Sequence, residues 1–266
     1  MRSPGLLKKL FPILFLYLVF SLFLFFIREP ASADSFYPNA GVDTTDEAPT
    51  VPFGCSQTIL NYEWDELGDG DTIGFVVPAF KYGLSSRLDA GVQVPYAFGD
   101  STKQLPDGFA DLQMGFKYLW TPLAKNHLWV STVIGLKPVT ASSENGLGNG
   151  VCDFSFHFIA SCDMPRWRHH LNFGYNLFGR MPSFSRNTVP YVKYKIDQKT
   201  SPVLVCSLEF YGQKSPNEEV FDSPFQTAFK TSWRLNSNLT FDAGIAFGLN
   251  PQSPLRRYLF GLTLEN

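Results

Sequence analysis

Ala110-Asp111-Leu112-Gln113-Met114-Gly115-Phe116-Lys117-Tyr118-Leu119-Trp120 is the stretch on which the fold turns. Ala110, Leu112, Met114, Phe116, Tyr118 and Trp120 fall on one side of an extended chain, and Asp111, Gln113, Gly115 and Lys117 on the other. Successive side chains of a strand point to opposite faces, so this period of two is a strand with one apolar and one polar face. A helix would mix the two sets.

The same alternation recurs on either side. Phe154, Phe156, Phe158 and Ala160 oppose Asp153, Ser155 and His157, while Leu171, Phe173, Tyr175 and Leu177 oppose His170, Asn172, Gly174 and Asn176. Leu204 to Tyr211, Phe225 to Arg234, Leu239 to Gly248 and Arg257 to Glu265 repeat it. Segments near 56–64, 72–84, 87–97, 128–139 and 189–197 follow it less cleanly and bring the expectation to about twelve strands. Pro78, Pro95, Pro122 and Pro138 interrupt the middle of the chain too often for long helices. The connectors alternate as well. Ser85-Ser86, Pro165-Arg166 and 236–238 are short, whereas 99–108, 141–150, 181–187, 214–223 and 250–255 are longer. Short turns at one end and long loops at the other describe an outer-membrane barrel.

Two architectures alternate in this way. A soluble β-sandwich would bury the apolar face and set charge on the other. A barrel turns the apolar face to lipid and keeps a wet, compact lumen, pairing every backbone group by closure. The large apolar residues, with Trp64, Trp120, Trp129, Trp167 and Trp233 near segment ends, match aromatic girdles, and the polar face is rich in Gly, Asn, Ser and Thr. The expected fold is therefore all-β: a transmembrane antiparallel β-barrel of about twelve strands behind an N-terminal signal peptide.

Arg2, Lys8 and Lys9 precede an apolar run from Leu10 to Ile27, and Ala31-Ser32-Ala33 closes it with a signal-peptidase pattern. Removal at Asp34 is the first reading; the run is also long enough for an uncleaved anchor. The division expected is a signal peptide at 1–33, a flexible Pro/Asp/Thr-rich lead at 34–54 and the barrel at 55–266. The 266 residues carry a net charge of −2 with no basic cluster, which excludes a nucleic-acid binder. A mean hydropathy of −0.06 excludes a helical membrane bundle. Four cysteines would permit two disulfides in an exported protein. Cys152 and Cys162, however, fall on one strand about 33 Å apart. With Cys206 they read as small lipid-facing residues.

The expected site is the lumen. Lys117, Lys137, Asp111, Asp153, His157, His170, Asn172, Asn176, Lys193, Lys195, Glu209, Lys230, Arg234, Asp242 and Arg257 are its candidate lining. Mixed charge serves as bracing or as solute selection. Lys193 and Lys195, a same-sign pair on one strand face, are the candidates for anion preference. Asp153, Ser155 and His157 lie too far apart on one strand for a catalytic relay. Adjacent His169 and His170 face opposite ways and cannot chelate together. No catalytic, metal or cofactor site is expected, and the chain is not expected to be an enzyme. A barrel hydrolase remains the third class, lacking a convincing nucleophile and base.

Lys81-Tyr82-Gly83-Leu84, Arg87-Leu88-Asp89-Ala90-Gly91, Asp111 to Leu119, Gly135-Leu136-Lys137-Pro138-Val139-Thr140, His170 to Tyr175 and Leu208 to Gly212 occur in an order that resembles the MetA-pathway of phenol degradation family, over roughly 72–264. The resemblance implies a Gram-negative outer-membrane barrel passing small organic solutes, aromatic or hydrophobic ones included. Its implied partners are outer-membrane lipid, those solutes and the outer-membrane assembly machinery. The chain ends Leu264-Glu265-Asn266 where many such barrels end on an aromatic residue. The alternative is a closed structural or surface-interaction barrel with no transport.

Overall fold

A computed structural model describes residues 47–67, 70–99, 107–123, 127–143, 147–179, 188–214, 225–250 and 253–266. The expected signal at 1–33 lies outside the described residues. No helix occurs among those described. The strands are β1 (Ser56–Glu66), β2 (Thr72–Ser85), β3 (Leu88–Gln93), β4 (Tyr96–Phe98), β5 (Gly108–Phe109), β6 (Gln113–Leu123), β7 (Leu128–Lys137), β8 (Asp153–Asp163), β9 (Trp167–Leu177), β10 (Thr188–Lys199), β11 (Leu204–Gln213), β12 (Phe225–Arg234), β13 (Leu239–Gly248) and β14 (Arg256–Glu265).

Each strand pairs antiparallel with its neighbour, and β1 pairs with both β2 and β14, which closes the ring. Both β3 and β4 run along β2, and β3 pairs with β6 as β4 does with β5. The fourteen segments are thus twelve staves, two of them interrupted. The interruption has a chemical cause: Pro95 has no N–H to offer the ladder, and the chain reconnects through Val94 N–H to Pro78 O and Ala110 N–H to Pro95 O. The strand expected over 109–120 accordingly starts at Gln113. A second irregularity between Leu119 and Thr121 shifts the register of β6 on β7. Eleven residues at about 3.3 Å each, tilted about 45°, cross roughly 25 Å, the height of an outer-membrane apolar band.

Closure sorts the faces. Phe116, Ile134 and Phe229 are 55%, 57% and 54% exposed on the outside, while Lys195 and His170 are 0% exposed on the inside. For a water-soluble protein this would be inverted. Trp120 lies outside, its indole N–H donating to Thr132 Oγ1 at 2.7 Å. Trp129 corrects the expected girdle: its register partner is Ser161, a fully buried inner residue, so Trp129 faces the lumen. Strand parity places the two tryptophans on opposite faces, Trp120 with Phe116 and Tyr118 outside and Trp129 with Ser131 and Val133 inside. All four cysteines are free. Cys162 is buried against Met164 and Leu128 instead of open to lipid.

Within residues 47–54, expected as part of a loose lead, Glu47, Ala48 and Val51 are buried inside the barrel, while Pro52, Phe53 and Gly54 are exposed where the lead joins the wall. Phe53 bridges to Gly83, Gly54 N–H donates to Gly83 O and Gly83 N–H to Cys55 O. From there the chain crosses the lumen. Six residue steps from Phe53 to Glu47 reach about 20 Å when extended, and β9, where Glu47 arrives, stands six staves from β1 in either direction. A Cβ on Gly83 would collide with the Pro52 carbonyl, so glycine there admits the lead against the wall.

Candidate functional site

The lumen contains three zones. At the end bearing the short turns, Glu47 meets the inner faces of β8, β9 and β10. Its carboxylate accepts from Lys195 Nζ at 2.9 Å and Arg168 NH1 at 3.3 Å, with His170 Nε2 at 3.9 Å. Lys195 is also 3.4 Å from Asp197, and Arg168 pairs with Asp163. His170 bridges Ser161 Oγ at 2.7 Å and Asp197 at 3.1 Å. Ala48 N–H donates to Ser161 Oγ and Val51 N–H to Asp89, both at 2.9 Å, while Lys117 Nζ donates to the Glu47 carbonyl. Charges buried this deeply persist only when paired and hydrogen-bonded. The lead supplies the carboxylate that two cations of the wall require. Glu47, His170 and Asp197 could each turn one ligand atom to a common point. Lys195 Nζ already occupies the cationic position among them.

On the β11–β14 side, side chains fill the interior. Lys230 binds Glu209 at 2.6 Å, Ser232 donates to Asp242, and Arg257 forks onto Asp65 at 2.6 and 2.7 Å with Glu63 at 3.6 Å. Ala228, Ala246 and Leu259 pack between them. Arg234 ends β12 at the short-turn side, beside the turn to β13.

The third zone lies near the long loops. Lys137 Nζ contacts Asp111 and Asp153, both at 2.9 Å, and Asn149 at 2.7 Å. Asp111 also accepts the N–H groups of Thr140 and Ala141, and Asp153 that of Gly179. The described part of the β7–β8 connector is thereby drawn over the mouth. Burial opposes ionisation of Asp111, but the Lys137 hydrogen bond and the two backbone donors outweigh it and hold its carboxyl below the usual range.

Between these zones two adjoining cavities, of about 180 and 240 Å³, share Gln113, Met114 and Gly135 in their walls. Ser155, His157 and Asn176 border the second. His157 meets the Tyr191 ring edge-on, away from Asp153, so the three residues of β8 form no relay. Asn172 is fully buried. The register separates the two lysines of β10 by environment. Lys195 is locked under the lead, and Lys193 lies over the Tyr191 and Tyr211 rings at 5.2 and 5.6 Å. Glu47, Glu63, Asp65, Asp163, Arg168 and Asp197 also belong to this interior, and the sequence reading did not name them. Arg168 and Asp197 share the inner parity of His170 and Lys195 and were findable on that ground. Glu47 carries no period at all.

A closed antiparallel barrel with an apolar outer band and a charged, partly filled lumen is a transmembrane barrel of the bacterial outer membrane. Residues 33–264 match the MetA-pathway of phenol degradation family, and the chain belongs to it. An outer-membrane channel from Pseudomonas putida F1 superposes with a TM-score of 0.68 at 10% identity, covering 87% of this chain and 100% of that one. The NanC porin gives 0.58 at 9% identity over 79% and 98%, and the KdgM porin 0.56 at 9% over 78% and 98%. Identities this low speak for a shared fold. No curated protein sequence matches the chain.

Proposed function

We propose that this barrel passes small solutes across the outer membrane through its lumen and catalyses no reaction. The observation that supports this is the pair of adjoining cavities of about 180 and 240 Å³ on the inner side of β3, β6, β7 and β8. An apolar cavity of about 150 Å³ holds benzene, so the space is of single-ring size. Solutes of that size, aromatic ones included, agree with the pathway after which the family is described. The fifteen lining residues expected from the sequence act in this reading as bracing and as the charge pattern that a solute meets. Export through cleavage before Asp34, a barrel domain beginning at 55 and insertion by the outer-membrane assembly machinery complete the proposal.

Purified protein in planar bilayers tests it: discrete conductance steps are expected. A second reading, a closed barrel serving as a surface scaffold, draws on the buried Glu47, Ala48 and Val51 that obstruct one end. Silence from both the full chain and a Glu47→Gln variant would favour that scaffold.

A further inference from the structure

Cations border the barrel at its short-turn end. Arg87 stands in the turn from β2 to β3, Arg166 in the turn from β8 to β9, Lys199 at the end of β10 and Arg234 at the end of β12. Each lies two residues from a buried inner side chain, namely Asp89, Arg168, Asp197 and Ser232, so all four share the lumenal parity and line the mouth. Arg87 and Arg166 are exposed there. No Asp or Glu occurs in 85–87, 164–166, 199–203 or 234–238. The carboxylates one layer further in are engaged, Asp89 by Lys117, Asp163 by Arg168 and Asp197 by Lys195 and His170. Glu265, at the end of β14, accepts from Gln57 Nε2 at 3.0 Å.

The chain brings the opposite charge to this mouth. From Asp34 to Phe80 the sequence has no Lys, Arg or His, and Asp43 and Asp46 come just before Glu47. Both lie outside the described residues, and chain connectivity alone bounds their reach. The Cα of Asp46 is about 3.8 Å from that of Glu47, and the Cα of Asp43 is at most about 14 Å away. Glu47 meets Arg168 and Lys195. Arg166 and Lys199 stand two and four residues nearer the turn, about 7 and 13 Å along the strand. A course the other way, into the two cavities, would meet Lys81, Lys117 and Lys137 set against Asp89 and Asp153. The rim sets its cations against no carboxylate of their own turns. A segment tethered this closely acts at an effective concentration on the order of millimolar or above, ahead of dilute free anions.

We infer that the basic rim of the short-turn mouth is the docking surface for the acidic stretch 43–46 of this same chain. The pairs that Glu47 makes are buried and little affected by salt, whereas the rim pairs form at the surface, where salt screens them. Retention of the lead in the lumen therefore depends in part on ionic strength. The inference holds whether or not the barrel conducts.

The test is zero-length carbodiimide coupling of the full chain in detergent micelles, which joins a carboxylate to an amine in contact with it, read by peptide mass spectrometry. Asp43 or Asp46 is expected to be joined to Lys199, and in Arg166→Lys to the new amine as well. The yield should fall about tenfold from 0.01 M to 1 M salt, as the Debye length shrinks from about 30 to about 3 Å. Correct folding of Arg166→Lys is read from faster migration of the unheated sample in SDS gels, and if it does not fold, the wild type decides. Coupling of these carboxylates only to lysines elsewhere, Lys81 and Lys137 of the cavities among them, or to none, overturns the docking. So does a yield that salt leaves unchanged. Coupling that persists in phosphatidylcholine vesicles but is abolished in phosphatidylglycerol vesicles gives the rim to lipid headgroups and overturns it too.

Discussion

Replacing Glu47 by Gln should loosen the lead from the lumen, and the size of the effect follows from its surroundings. The carboxylate serves Lys195 at 2.9 Å and Arg168 at 3.3 Å, both buried beneath it. Gln keeps the shape but removes the charge, so the two cations share only Asp163 and Asp197 of the wall. Removing one partner of a buried ion pair costs about 3–5 kcal/mol. At about 1.4 kcal/mol per factor of ten, the withdrawn population rises by about a hundredfold or more. The Ala48–Ser161 and Val51–Asp89 hydrogen bonds remain and contribute about 1 kcal/mol each, so the lead exchanges between positions and does not leave permanently. Single-channel recording should show openings that are more frequent and larger in Glu47→Gln than in wild type. Lys195→Met combined with Glu47→Gln should return traces toward wild type, because the cation that lost its carboxylate is removed together with it. Identical traces for wild type and a correctly folded Glu47→Gln would refute the idea that this carboxylate holds the lead in place.

Three further outcomes are expected. Lys193→Ala alone should shift ion selectivity toward cations in reversal-potential measurements, since Lys193 is half-buried beside two rings; Lys195→Ala should mainly alter gating, being sealed under Glu47. The Asp111 carboxyl is held below its usual range, so its contribution to pinning the β7–β8 connector is complete above the unfolded value and fades as pH falls through the lowered one. The Thr140 and Ala141 amide shifts in NMR should therefore stay constant down to the ordinary carboxylate range and move only below it. Ile134→Arg, on the outer band, should cost about 2–4 kcal/mol in denaturant unfolding from lipid vesicles if it lies near the midplane, whereas Ile134→Leu should cost little.

Most of the barrel can be read from alternation alone, because alternation is a local property of an extended chain. Phe154, Phe156 and Phe158 against Asp153, Ser155 and His157 sort into two faces whatever the strand pairs with. The number of staves followed from counting such segments, with Pro95 and residues 110–112 blurring two of them. Trp129 faces the lumen because β7 alternates regularly from Lys137 through Val133 and Ser131 to Trp129, so its parity with Lys137, and not its place near a strand end, decides its face.

The pattern of residues therefore determined the strands, their two faces, the short and long ends and the membrane that surrounds them. It could not determine what fills the middle. Lys193 and Lys195 look equivalent along β10, yet closing the ring puts one over tyrosine rings and the other under a carboxylate 148 residues away. Glu47 sits in a stretch with no period, and a residue without a period carries no signal of where it will be buried. Contacts across a lumen depend on which staves closure sets opposite one another, a long-range geometry that no short window of sequence contains.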